Sequence, residues 1–172
     1  MTVFKMRYSF LTVFLFIGLI ACNNNQTTKT EKKSADNLYA TPSDDKEMNE
    51  AILTAKNTLD QFDKALESNK YDTSTFALKV KFPTSTGAEH IWATSITIKD
   101  RNYYGIVDNL PELTTKVKLG DKIKLDKESI SDWMYGDKGI LQGGYTMRLI
   151  RSRMTKEEQK KFDSEFQFKI EN

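Results

Sequence analysis

The spacing of apolar residues between Asp44 and Leu66 predicts an amphipathic helix. Apolar side chains recur there at intervals of three and four residues, which places them on one helical face. They are Met48, Ala51, Ile52, Ala55, Leu59, Phe62, Ala65 and Leu66. Acidic residues precede this run, near the positive end of the helix dipole, and Ser68-Asn69 follows it. We expect one helix of about 24 residues that packs on the rest of the chain.

The next part of the chain alternates between apolar and polar residues over short stretches, which indicates β-strands. The predicted strands cover residues 76–82, 91–98, 103–107, 117–119, 123–125, 133–135 and 140–141. Turn-forming residues separate the second stretch from the third and the sixth from the seventh. Each of these pairs therefore predicts a hairpin, and the sheet should be mainly antiparallel.

The carboxyl-terminal part predicts further helix and one more strand. Residues 145–154 fit either structure, and their apolar spacing favours helix. Thr155 and Glu158 have the spacing of a capping box, so residues 156–164 should be helical. Residues 166–170 alternate as a terminal strand. The fold class is α+β: a long N-terminal amphipathic helix packed on a mainly antiparallel sheet of short strands, with a C-terminal helix and terminal strand.

The amino terminus has the pattern of a bacterial export signal. Lys5 and Arg7 precede the apolar run 10–21, which is too short to span a bilayer as a helix of about 20 residues. Leu19-Ile20-Ala21-Cys22 resembles a lipobox, in which cleavage before the Cys is coupled to its acylation. The alternative is an ordinary signal peptide or a buried Cys. We expect a signal peptide over 1–21 and a lipid on Cys22 that anchors the protein to a membrane of the bacterial cell envelope.

Charge and composition exclude several classes of protein. The 172 residues include 26 Lys and Arg, 24 Asp and Glu, one His and one Cys. A single His and a single Cys cannot form a zinc finger, a His cluster or a Cys/His nucleophilic pair with a spare thiol, so no metal or cofactor is predicted. The formal charge of +2 lacks the basic excess of nucleic-acid-binding proteins. Loss of residues 1–21 removes Lys5 and Arg7 and leaves a formal charge of zero.

The residues after Cys22 predict a tether followed by one domain. Few apolar residues occur between Asn23 and Ser43, so this stretch cannot bury enough surface to fold. We therefore divide the chain into a signal peptide (1–21), a lipidated Cys with a flexible tether (22–43) and a single globular domain (44–172).

Several sequence blocks of this domain resemble the YegJ-like family of bacterial proteins. The resemblance extends from about Met48 to Ile170 and rests on blocks that occur in one order. They are Glu89-His90-Ile91-Trp92, Tyr104-Gly105-Ile106-Val107-Asp108-Asn109 with Pro111, Leu119-Gly120-Asp121-Lys122, Ile130-Ser131-Asp132-Trp133-Met134-Tyr135, and Gly143-Gly144-Tyr145-Thr146 with Arg148. The family is a domain of unknown function with some lipoprotein members, so the resemblance implies a family but no reaction.

His90 is the one residue of the chain suited to acid–base chemistry near neutral pH. A carboxylate such as Asp108 or Asp132 could orient it in a hydrolase. Glu89 could not, because neighbours on a strand point to opposite faces. The alternative is a structural or surface His.

The remaining candidates have both binding and structural interpretations. The aromatic residues near Asp132 could stack on a sugar or a peptide, or they could be core anchors with Asp132 bonded to backbone N–H groups. Gly143-Gly144 could bind an anion or form a tight turn. The candidate ligand-binding residues are His90, Trp92, Asp132, Trp133, Tyr135, Gly143, Gly144, Tyr145 and Arg148.

These patterns predict a membrane-anchored envelope lipoprotein that acts as a binding or accessory module. Its partners would be the membrane, through the lipid on Cys22, and another envelope protein, a peptide or a glycan. The alternative function is a hydrolase that uses His90.

Overall fold

Six antiparallel strands form one sheet in the computed structural model, which describes residues 45–171. The predictions for residues 1–21, for Cys22 and for the tether lie outside these residues. The strands are β1 (Ala77–Thr84), β2 (Gly87–Lys99), β3 (Asn102–Val107), β4 (Lys122–Leu125), β5 (Ile130–Asp137) and β6 (Ile140–Gly143). Their order in the sheet is β4-β3-β2-β1-β5-β6. The predicted antiparallel sheet and the α+β class are therefore confirmed.

The described residues also form four α-helices: α1 (Lys46–Asn57), α2 (Leu59–Glu67), α3 (Tyr145–Ser152) and α4 (Lys156–Glu165). Instead of one helix of about 24 residues, the amino-terminal part has two shorter ones. They are divided at Thr58, whose ψ is 8° and whose hydroxyl donates to the Thr54 carbonyl at 2.7 Å. Such a bond competes with the helical backbone pattern and bends it.

Helices α1 and α2 cover one face of the sheet, which we call the core face. Ala55, Leu59 and Phe62 of these helices pack there against apolar strand residues. The strand residues include Leu78, Val80, Ala93, Tyr103, Leu125, Ile130, Trp133 and Tyr135. The Trp133 indole N–H donates to the Ala55 carbonyl at 3.0 Å, so the ring is both buried and hydrogen-bonded at the helix break.

The opposite face, which we call the mixed face, carries apolar and polar residues together. Ala77 and Trp92 pack there against Met147 of α3, with Phe162 of α4 beside them. Lys79 and Asp132 alternate with the core-face residues of β1 and β5, so they point to the mixed face.

Two predicted strands are wrong. Residues 117–119 lie in a loop, where Val117 is buried against Ile91 and Val107 while Leu119 is 55% exposed. Residues 166–170 make a single bridge, between Ile140 and Lys169, and pack otherwise through Phe168. In both segments the alternation of apolar residues reflects burial of one side, since strand pairing is absent from 117–119 and limited to Lys169 in 166–170.

The two carboxyl-terminal helices agree with the prediction. Thr155 and Glu158 form the expected capping box at the start of α4. Arg153, at the end of α3, makes ion pairs with Asp45 and Glu47 at the start of α1. The Arg153 guanidinium, with the Met48 backbone N–H, lowers the pKa of Asp45 to about 2, and the two ion pairs connect the end of α3 to the start of α1.

Candidate functional site on the mixed face

The register of three strands brings the polar candidates together. Lys79 of β1 lies opposite Trp92 of β2 on one side and Asp132 of β5 on the other. Lys81 lies opposite His90. The pairing of β1 with β5 shifts next to Lys79, and Ser131 is the extra residue at this bulge.

Asp132 has the role of a helix cap. Its side chain is completely buried, and its Oδ1 accepts hydrogen bonds from the backbone N–H groups of Trp133 and Tyr145 at 2.8 and 3.1 Å. Its Oδ2 accepts from the backbone N–H and hydroxyl of Thr146 at 2.8 and 2.6 Å. Gly144 at the N-cap of α3 has no side chain to offer, so Asp132 satisfies these helix donors from the neighbouring strand. Burial raises the pKa of Asp132, and the Thr146 bond and the Lys79 charge oppose that rise.

Gly143 and Gly144 form the tight turn between β6 and α3. Their φ angles are +70° and +66°, in the left-handed region. A Cβ on Gly143 would lie 2.2 Å from the Trp133 carbonyl oxygen, and one on Gly144 would lie 2.7 Å from Leu141. The Gly144 N–H donates to the Trp133 carbonyl at 2.8 Å. Close packing and backbone geometry therefore account for both glycines.

Arg148 connects α3 to the end of the sheet through hydrogen bonds. Its guanidinium donates to the carbonyls of Gly143 and Leu141 at 2.8 and 2.7 Å, and also to the carbonyl of Glu171. All these acceptors are backbone groups of this chain.

Three aromatic candidates lie in the core and form no exposed stacking wall. The rings of Trp133 and Tyr135 stack at a centroid distance of 6.1 Å, and Tyr145 meets Trp133 edge-on at 5.7 Å. Trp133 is 2% exposed and Tyr135 is 9% exposed.

His90 pairs with a serine, although a carboxylate was predicted. Its Nδ1 lies 2.7 Å from the Ser131 hydroxyl oxygen, and that hydroxyl donates to the Lys79 carbonyl at 3.2 Å. Since the hydroxyl has one proton, both contacts are hydrogen bonds only if the His90 Nδ1–H donates to Ser131. Ser131 is then bonded as an acceptor and 2% exposed, which is not the arrangement of an activated nucleophile. Burial, together with the charges of Lys79 and Lys81, lowers the pKa of His90 to about 4.

The predicted carboxylate partners of His90 are engaged elsewhere or exposed. Asp132 is bonded to the start of α3, and Asp108 is exposed, with its backbone N–H donating to the Trp92 carbonyl. Glu89 accepts the N–H groups of Glu112, Leu113 and Thr114. It therefore holds the loop after β3 and does not orient His90.

Lys79 and Ser131 are members of this cluster that the sequence did not single out. Lys79 is 7% exposed, and its Nζ lies 5.3 Å from the centroid of the Trp92 ring. The alternation of β1 gave Lys79 the appearance of a solvent-side residue. Only the pairing of β1 with both β2 and β5 places it in the interior.

The described part of the chain contains no cluster of metal-ligating side chains and no bilayer-spanning helix. Within residues 45–171, no three His, Cys, Asp or Glu side chains are placed to hold an ion. None of the helices in this range is long and apolar enough to cross a membrane.

These features define an α+β domain. Most of its polar candidate residues stabilise the junction where β5, β6 and α3 meet. The chain belongs to the bacterial family DUF2314, described as "Uncharacterized protein conserved in bacteria", which matches residues 45–170. It is 36% identical over 134 residues to the "Uncharacterized protein YegJ" of Escherichia coli, a match that covers 77% of this chain and 85% of that protein. The predicted membership of the YegJ-like family is therefore confirmed.

A second relative matches the chain over a shorter stretch. The "Putative ankyrin repeat protein NMB1133/NMB1171" of Neisseria meningitidis is 36% identical over 76 residues, which are 44% of this chain and 30% of that protein. No solved structure matches the chain.

Proposed function

We propose that the protein is a lipid-anchored lipoprotein of the bacterial cell envelope whose folded domain is a binding or accessory module. The observation that carries the anchor is the sequence Leu19-Ile20-Ala21-Cys22 at the end of an apolar run preceded by Lys5 and Arg7. Lipid chains on Cys22 would hold the domain at the membrane through the tether 23–43.

A binding role is supported by the way the candidate catalytic groups are used. A hydrolase needs a nucleophile or water next to a base that a third group orients. Here the Nδ1 of His90 is bonded to Ser131, and Asp132 accepts four hydrogen bonds at the start of α3. A binding module needs no such arrangement and can act through groups that lack partners within the chain.

Metabolic labelling tests the anchor. The full-length protein should incorporate labelled palmitate and sediment with membranes when expressed in bacteria, because acylation would occur at Cys22. The Cys22→Ser variant should lose both properties. The control is a double variant, Cys22→Ser with Ser34→Cys, which has a thiol at a different position of the tether. Equal labelling of wild type and Cys22→Ser would contradict the proposal, as would a wild-type protein found only in the soluble fraction.

A further inference from the structure

We propose that Lys79 and Trp92 bind the carboxylate group of a ligand at the mixed face, beside His90. This inference deepens the binding role proposed above and is independent of the lipid anchor. It gives the binding module a ligand class: a molecule with a single exposed carboxylate, such as a peptide carboxyl terminus or an acidic sugar.

The first reason is an ammonium group that makes no hydrogen bond within the described residues. The Lys79 side chain is 7% exposed overall, but its Nζ is not among the fully buried atoms, so this nitrogen keeps contact with solvent. The Nζ lies 5.3 Å from the centroid of the Trp92 ring, and the charge of Asp132 acts on it from the neighbouring strand. An anion that reaches this nitrogen from solvent would form a charge-assisted hydrogen bond with it.

The second reason is an unused donor on the same ring. The Trp92 Nε1–H is buried and has no acceptor within the described residues. Trp92 itself is 3% exposed. Buried indole N–H groups normally have a partner, as Trp133 does with the Ala55 carbonyl at 3.0 Å. The Lys79 ammonium group thus lies over the ring that carries the Trp92 N–H, and neither donor has an acceptor among residues 45–171.

The local charges favour a singly charged acceptor. Lys79 supplies one positive charge, and the buried Asp132 lies opposite it across the strand pair. His90 is held neutral near pH 7, since burial lowers its pKa to about 4. The Asp132 charge offsets part of the Lys79 charge, so an acceptor with one negative charge meets less repulsion here than a dianion such as phosphate.

Access comes from the end of the face where His90 lies. His90 is only partly buried, and Lys81 opposite it is exposed. Met147 and Phe162 close the other side of Trp92. A ligand would therefore enter past His90, and Lys81 would attract anions toward the opening.

The chain provides its own probe and control, because it has two tryptophans. In ¹⁵N-labelled full-length protein in detergent micelles, the Trp92 and Trp133 indole N–H groups give separate NMR signals. N-acetylglycine represents a peptide terminus and glucuronate an acidic sugar. N-acetylglycinamide and glucose are their neutral counterparts, and sodium chloride and phosphate control for ionic strength and for dianions.

We expect a saturable downfield shift of the Trp92 indole proton with at least one of the two carboxylates, and an unmoved Trp133 signal. The carboxylate that gives the larger shift shows whether the bound carboxylate belongs to a peptide terminus or to an acidic sugar. Lys79→Met should weaken the response by at least tenfold, since it keeps the length of the side chain and removes the charge. Lys138→Met, at an exposed turn between β5 and β6, should leave it unchanged.

The site is refuted if neither carboxylate moves the Trp92 signal, if the neutral counterparts or phosphate move it equally, or if Lys79→Met responds like wild type. A protein that labels with palmitate but gives no Trp92 response would lack this site and retain its anchor. The two proposals therefore fail separately.

Discussion

The two faces of the sheet differ in how they treat the polar groups of their buried aromatic residues. On the core face, Trp133 is enclosed by α1, α2 and other rings, and its N–H has an acceptor. On the mixed face, Trp92 is equally buried, and its N–H has none within the described residues. The alternation of β1 places Thr84 on the core face, and its buried hydroxyl also lacks a partner within the described residues, although the central ring Trp133 has one. The mixed face leaves the indole N–H of its central ring without an acceptor in the same range and places the Lys79 ammonium group over that ring. We interpret the core face as the part that holds the fold and the mixed face as the part available for binding.

The largest effect should come from removing the central ring of the core face. Trp133→Ala leaves a cavity next to Phe62 and Tyr135 and should lower the free energy of unfolding by about 3 to 5 kcal/mol. Urea unfolding monitored by circular dichroism measures it. Trp133→Phe, which keeps a ring, should cost less. A loss below about 2 kcal/mol for the alanine variant would contradict the assigned role of this face.

The next effect is at the turn that positions α3. Gly143→Ala should cost about 2 to 5 kcal/mol, because the φ of +70° is unfavourable for alanine and the Cβ would overlap the Trp133 carbonyl. Gly139→Ala is the matched control: its φ is +79°, but nothing lies within 4 Å of the added Cβ. Its cost should be about 1 to 2 kcal/mol from backbone strain alone. Equal losses in the two urea titrations would show that steric overlap at Gly143 is unimportant.

The buried cap should have an intermediate effect. Asp132→Asn keeps the shape of the side chain but replaces one acceptor oxygen with an amide NH₂, so at least one donor at Trp133, Tyr145 or Thr146 loses its partner. The free energy of unfolding should fall by about 1 to 3 kcal/mol. Thr146→Val, which removes only the hydroxyl donor, should cost less. If Asp132→Asn is as stable as wild type, Asp132 does not cap α3.

A smaller effect is the loss of stability that His90 causes on acidification. The pKa of His90 is lowered from 6.5 to about 4 in the folded state. The unfolded chain therefore binds a proton more readily between these values, and stability is lost as the pH falls through them. At pH 5.5 the loss due to His90 should be about 1 kcal/mol relative to pH 7.5.

His90→Gln supplies the comparison for that measurement. Urea titrations of both proteins at both pH values give the loss of stability on acidification for each. Wild type and variant contain the same carboxylates, so the carboxylate contributions cancel when the two losses are subtracted. The variant should lose less stability on acidification than wild type. Parallel losses would mean that His90 titrates normally and is not held neutral by burial and the neighbouring lysines.

The sequence predicted regular elements well where one side of an element is consistently apolar. The strands around Leu78 and Ile96, and the helices after Gly144 and Thr155, have this pattern. It failed at Val117 and at Phe168, where burial produces the same alternation without a paired strand. The break at Thr58 was also hidden, since the apolar stripe continues across it. The hydrogen bonds of the Thr58 hydroxyl, to the Thr54 carbonyl and from the Trp133 indole, are visible only in the structure.

The candidate site was only partly predictable for a related reason. Asp132, Gly143, Gly144 and Arg148 stand out as polar or glycine residues in the sequence, but their partners are backbone groups whose positions depend on the fold. Lys79 resembles an ordinary surface lysine until the register places it between Trp92 and Asp132. Unusual residues thus indicated the junction where β5, β6 and α3 meet, whereas the unused donors required the three-dimensional arrangement.

The most direct test of the difference between the two faces is the stability of Lys79→Met. If Lys79 serves a ligand and the fold does not need it, replacement by an apolar side chain of similar length should leave the free energy of unfolding unchanged or raise it by about 1 kcal/mol. The Trp92 response to carboxylates should be lost in the same variant. A destabilisation of more than about 2 kcal/mol would show instead that Lys79 holds the fold together, for example by balancing Asp132, and would contradict the assignment of the mixed face to binding.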